Sequence, residues 1–147
     1  MDRGTICFTV PAVPIAQPRQ RHRMIAGHIG NYTPTKHPVN SFKAAVQIAA
    51  AQAYKGPPIA SPMRLDLTFV MPRPGNKFWK TKPMPRYAHV GKPDRDHLMK
   101  SFQDALNGLL WHDDSWIFDG TVRKVVAAGN EQPHVHAMLQ VYPEWTE

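Results

Sequence analysis

The apolar residues of this chain fall into short runs between proline-rich breaks, and their spacing alternates between strand-like and helix-like periods. Ile6 to Val13, ICFTVPAV, is rich in β-formers and predicts a first strand. Gln17 to Pro38 reads as a basic loop or hairpin, with Met24–Ile25 and Ile29–Tyr32 as short arms and Gly27 and Gly30 about the turn. Phe42, Val46, Ala49, Ala50 and Ala53 form one helical stripe. Asn40 or Ser41 is the expected N-cap of that helix, and Lys55–Pro58 its end. In MRLDLTFVMP, Leu65, Leu67, Phe69 and Met71 alternate with Arg64, Asp66 and Thr68, the signature of a half-buried strand. Arg73 to Arg86 reads as a mobile, solvent-facing Pro/Lys loop that holds Phe78 and Trp79. Leu98, Phe102, Ala105, Leu106 and Leu109 predict a second helix, with Asn107–Gly108 as its C-terminal signal. Two strands, Trp116 to Ala127 and Val135 to Tyr142, close the chain around a GNEQP turn.

This order predicts an α+β fold. It has a mixed or antiparallel sheet of about four strands, an N-terminal hairpin and two main helices, and it is not a doubly wound fold. The 147 residues suit one domain, 1–147, with a modest core. There is no run of 18 apolar residues, so no membrane partner is expected, and the N-terminal MDRGTICFTV has no signal-peptide pattern. The lone Cys7 reads as a buried small residue in a reducing compartment, and the cytoplasm is the expected location.

Charge changes the picture more than composition does. Residues 1–93 carry 14 Lys and Arg against two acids, whereas 94–147 carry four against nine. Six of those nine acids lie between Asp94 and Asp119. A cationic surface suits a polyanion such as nucleic acid. A compact acidic cluster would repel that polyanion unless a divalent cation neutralised it.

GKPDRDHLMK, Gly91 to Lys100, stands at the centre of this segregation. Helical residues two apart point about 200° from one another, so two helical aspartates could not share a ligand. With Asp94 at the N-cap and Asp96 in the first turn, both carboxylates can converge beside the helix start, and Lys100 lies one turn beyond Asp96. Taken alone, the pattern also describes an ordinary capped helix. WHDDSW, Trp111 to Trp116, supplies a second acidic element, whose paired carboxylates would raise one another's pKa if partly buried. A third carboxylate from it, beside Asp94 and Asp96, would complete an oxygen-rich Mg²⁺ site suited to phosphodiester hydrolysis.

KPDRDHLMKSFQDALNGLLWHDDSW resembles the signature of the RusA family of Holliday-junction resolvases: KPDxDNLxK, a helix ending in DALNG, and a W-x-DD-S turn. Upstream, QPRQRHR and YTP resemble the N-terminal region of phage-type members. The resemblance implies a homodimeric, Mg²⁺-dependent endonuclease, with Mn²⁺ as a substitute, that cuts four-way DNA junctions by paired nicks. It implies Asp94, Asp96 and Asp114 as the metal carboxylates and Lys100 as the catalytic lysine. Asp104 and Asp113 are candidates for supporting hydrogen bonds. So is His97, which stands where the family usually has Asn.

Arg19, Arg21 and Arg23 alternate, so an extended segment would present them to phosphates along one face, and Lys36 belongs to the same cationic stretch. Phe78 and Trp79 suit either base stacking or local packing. His134 and His136 share a strand face without the further ligands zinc needs, and read as structural. From the residues alone, a broader branched-DNA nuclease and a catalytically silent DNA-structure-binding protein are the alternatives.

Overall fold

The computed structural model describes residues 4–18, 21–25, 28–32 and 37–147. Its elements run β1 (Gly4–Val10), β2 (Arg21–Ile25), β3 (His28–Tyr32), α1 (Pro38–Ala53), β4 (Met63–Met71), β5 (Tyr87–Ala88), α2 (Arg95–Leu106), β6 (Ile117–Val126) and β7 (His134–Val141). The fold is α+β, as the order of periodicities requires. The sheet has five strands, in the order β1-β7-β4-β6-β5, and β2-β3 form a separate antiparallel hairpin. The additional strand is β5, two residues long, which exists because it pairs with Val125 and Val126 of β6 and has no hydrophobic pattern of its own.

β4 runs parallel to β6 and antiparallel to β7, so α2 lies on the crossover between two parallel neighbours. Leu65, Leu67 and Phe69 of β4 point into the core. There they meet Phe42 and Val46 of α1, Leu98, Phe102 and Leu106 of α2, and Trp111 just beyond it. Two polar ties fix the helices. Gln47 donates from α1 to the Ala105 carbonyl (3.1 Å), and Ser101, buried in α2, donates to the Ile15 carbonyl (2.6 Å).

On the other face of β4, Asp66 accepts hydrogen bonds from Arg64 and from the Thr121 backbone and hydroxyl. Partial burial pushes the Asp66 carboxyl up, but the bonds from Thr121 and Arg64 outweigh it and hold the group below its usual range. The β4–β6 register slips between Met63↔Ile117 and Arg64↔Asp119, leaving Phe118 as the extra residue of a bulge. Gly120 beside it has φ of 144°, and a Cβ there would overlap the Leu65 carbonyl. We expect Gly120→Ala to cost about 2 kcal/mol or more in denaturant unfolding.

Three local expectations are corrected. α1 is capped by His37, whose Nδ1 accepts from the Val39 amide (3.0 Å), because Pro38 is preorganised for the first helical position ahead of Asn40 and Ser41. Cys7 is exposed, since Phe8 and Val10 take the inward positions of β1. α2 ends at Leu106 and leaves Leu109 52% exposed, while Leu110 and Trp111 turn inward in its place. The segment after β4 faces solvent as expected, residues 74–83 being exposed, and Arg73, buried against three backbone carbonyls, ties it to the sheet.

No helix among the described residues is long and apolar enough to cross a membrane.

Candidate metal centre

The opening of α2 is built from both sides of the sheet end. Lys124, near the end of β6, donates to the carbonyls of Gly91 and Pro93 (2.5 and 2.6 Å) and so fixes the chain entering the helix. Arg95 donates to the Val122 carbonyl (3.2 Å) and holds the first turn against β6. Asp94 takes the N-cap position with extended backbone (φ −72°, ψ 147°), and its carbonyl accepts the Leu98 amide. Its carboxylate makes no capping bond; it pairs with Lys92 at 3.0 Å. Capping by the Asp94 side chain is thus corrected: the carboxylate faces the groove instead. The Lys92 hydrogen bond and charge hold the Asp94 carboxyl below its ordinary range, so it is ionised at neutral pH.

Asp94, Asp96 and His97 each bring a ligand atom within 4.8 Å of the others. Among the described residues they are the one group of three or more carboxylate, imidazole or thiol side chains so arranged. Ligands of a single octahedral Mg²⁺ at about 2.0–2.1 Å lie roughly 3–4 Å apart, so the set needs only a small closure to share one ion. The two carboxylates suit hard divalent ions such as Mg²⁺ and Mn²⁺, whereas the imidazole nitrogen is the weaker partner for either. His97 Nδ1 lies 3.8 Å from Asp94 Oδ2, which makes it a member of the cluster rather than a neighbour of it.

The cluster borders a groove of about 570 Å³, lined by Gln17, Pro18, Lys92, Pro93, Asp94, His97, Lys100 and Asp104. Gln17 was not foreseen. Its amide donates to the His97 carbonyl (3.0 Å), and its side-chain Oε1 is buried with no hydrogen-bond partner among the described residues. Only the fold could reveal it, because the contact joins segments 80 residues apart in the chain. Lys100 reaches forward to Asp104 at 3.4 Å, one turn along α2. Asp104 therefore holds the lysine beside the groove. Asp96 lines a second groove on the other side of α2, with Arg95 and Asp119. Asp119 is bound to Arg64 at 2.7 Å.

The HDD turn is elsewhere. Trp111 is buried and donates to the Asn107 side chain (2.8 Å), which ties the turn to the C-terminal end of α2. Asp113 caps a 3₁₀ turn, Asp114–Trp116, by accepting from the Ser115 amide. The hydrogen bonds from Ser115 hold its carboxyl below the usual range, the reverse of the upward shift expected from a crowded acidic pair. From Ile117 at the start of β6 to Lys124 beside Asp94, seven residues of strand span about 20 Å. Asp113 and Asp114 therefore stand at the opposite end of the sheet from Asp94 and Asp96.

Of the cationic candidates, Arg21 and Arg23 fall in β2, the extended segment that their alternation requires. Arg19 and Lys36 lie outside the described residues. Gln17 and Pro18, which lead into that hairpin, line the groove of the acidic cluster. His134 bonds the Gln132 carbonyl, and His136 faces Thr9, in keeping with structural roles.

Comparison with known proteins places these features in a family. Residues 11–140 match the family described as endodeoxyribonuclease RusA. The chain is also 32% identical over 141 residues to the uncharacterized protein YqaN of Bacillus subtilis (strain 168), covering 92% of this chain and 95% of that one. The family match spans the hairpin, both helices and strands β4 to β6 with nearly all of β7, as well as the acidic motifs, and on it the chain belongs to the RusA endodeoxyribonuclease family.

Proposed function

We propose that this chain, acting as one nuclease domain, is a Mg²⁺-dependent endodeoxyribonuclease that resolves four-way DNA junctions as a homodimer, by paired symmetric nicks. The observation that carries the reading is the convergence of Asp94, Asp96 and His97 at the start of α2, in a family of DNA endonucleases. Asp94 and Asp96 would hold the ion with His97 beside them, and Mn²⁺ would serve in place of Mg²⁺. A divalent cation there supplies Lewis-acid stabilisation of the charge that builds on the attacked phosphate and makes water more acidic.

The chain's own residues do the rest. Lys100, positioned by Asp104, offers its ammonium to a phosphate oxygen at the mouth of the groove. Lys92 balances Asp94 until a more highly charged partner displaces it. Arg19, Arg21, Arg23 and Lys36 would neutralise the converging DNA arms, so affinity should fall steeply with salt.

Asp114 is the third carboxylate of this proposal. Its turn precedes Ile117, about 20 Å along β6 from the Lys124 that fixes the Asp94 segment, so on this reading it joins the site from a second copy of the chain. A two-fold dimer would also place its two sites on symmetry-related strands of a junction. On this reading Asp114→Asn abolishes cleavage while leaving junction binding intact. The reading is tested by comparing cleavage of four-way, flap and linear duplex substrates of matched sequence in Mg²⁺. Strong preference for the four-way junction supports it. Equal cutting of flaps would make the protein a broader branched-DNA nuclease, and binding without cutting would make it a DNA-structure-binding protein.

A further inference from the structure

The segment between β4 and β5 has no part in the site just described, yet it is built to present charge and an aromatic ring. Arg73 is only 8% exposed. It donates to the carbonyls of Lys77 (2.7 Å), Pro85 (2.9 Å) and Ala127 (3.2 Å), which clamps the middle and the end of the loop to the exit of β6. Its guanidinium lies over the rings of Trp79 and Tyr87, at 5.1 and 5.4 Å. Trp79 also receives Lys82 at 5.6 Å, so its ring is engaged in holding the loop together. Met84 accepts the Gly129 amide, and Arg86 pairs with Glu131, which add two more anchors to the β6–β7 turn.

Around this scaffold the side chains of Lys77, Phe78 and Lys80 are exposed, as is Lys82, whose ammonium lies over Trp79. No acid occurs between Asp66 and Asp94 to offset them. Phe78 is 51% exposed and makes no ring contact among the described residues, whereas the exposed Phe118 is paired with Trp145 and Tyr142. The loop leaves the sheet at Met71 and returns at Tyr87, both beside Val126. Seven residues later comes Asp94, so the loop and the acidic cluster share one end of the sheet.

We propose that this Arg73-clamped loop is a second DNA-contacting element, in which Phe78 stacks on an unpaired base at the branch point while Lys77, Lys80 and Lys82 hold the flanking phosphates. An aromatic ring set among cations is how sequence-tolerant sites bind unstacked nucleotides. The clamp fixes the platform before DNA arrives, which reduces the ordering cost of binding. This inference rests on the proposed junction substrate and adds the group that would unstack it.

The test uses a four-way junction with 2-aminopurine at the branch point, mixed with full-length protein in the absence of divalent metal. Wild-type protein should bind and change the fluorescence of the branch-point base. Phe78→Ala, melting at the wild-type temperature, should lose most of that change and bind the junction about 5- to 100-fold more weakly. Its affinity for linear duplex should fall less than twofold. If Phe78→Ala binds the junction and alters the probe as wild type does, the loop assignment is overturned while the nuclease reading stands. If wild-type protein neither binds nor, in Mg²⁺, cuts the junction, the functional reading beneath it falls as well.

Discussion

Asp96→Asn should lower metal-dependent junction cleavage by at least about 10²-fold while junction binding persists or tightens. Asp96 is exposed and belongs to the cluster with Asp94 and His97, and its side chain makes no hydrogen bond or ion pair among the described residues. Loss of groups that merely support metal ligands commonly costs 10- to 100-fold, and loss of a direct ligand costs more. Removing one negative charge from a surface that faces a polyanion favours binding. Because Asp96 stabilises the helix only through its place in the first turn, the melting temperature should move by no more than a few degrees. Quantitative nicking assays and calorimetric titration of Mg²⁺ or Mn²⁺ check both halves. A variant that melts much lower yet binds metal and cuts as wild type does would mean that the aspartates only stabilise the helix.

The largest effect on stability is expected from Phe102→Ala, at about 3–5 kcal/mol in urea or thermal unfolding. Phe102 is fully buried in α2. Its ring stacks on Phe8 of β1 at 6.1 Å and meets Phe69 of β4 edge-on at 6.4 Å. It thus joins the helix that carries Asp94 and Asp96 to two strands of the sheet. Truncation removes the burial of a large aromatic and leaves a cavity among side chains that α1 and β4 prevent from collapsing. Phe102→Leu, which refills much of that volume, should recover most of the loss. If Phe102→Ala cost less than about 1 kcal/mol, the packing described for α2 would be wrong.

Periodic elements were legible in the sequence because burial imposes their period. The Leu65-Leu67-Phe69 alternation and the Leu98-Phe102-Ala105-Leu106 stripe are the two faces that meet in the core. Boundaries set by single hydrogen bonds were less so. His37 outcompetes Asn40 and Ser41 as a cap through the geometry that Pro38 imposes. β5 exists only through pairing, which no local pattern records.

The site divides along the same line. Asp94 and Asp96 could be picked out because an extended N-cap followed by a first-turn acid is a local arrangement. His97, a candidate supporting group from the sequence, joins them through its i+3 spacing from Asp94. Gln17 enters through a long-range backbone bond. The placement of Asp114 depends on which way β6 runs beside α2, so two acidic motifs close in sequence stand at opposite ends of the sheet. Arg73 organises its loop because one guanidinium reaches three carbonyls that lie 4, 12 and 54 residues away.

The most direct test of the central claim is cleavage of a synthetic mobile four-way junction by the wild-type chain, with and without Mg²⁺, with the nicked positions mapped on all four strands. The account predicts no cutting without the ion. With it, nicks should appear at symmetry-related positions on two opposing strands and yield two linear duplexes. Cutting at an equal rate in metal-free buffer, or unpaired nicks scattered along the arms, would contradict it.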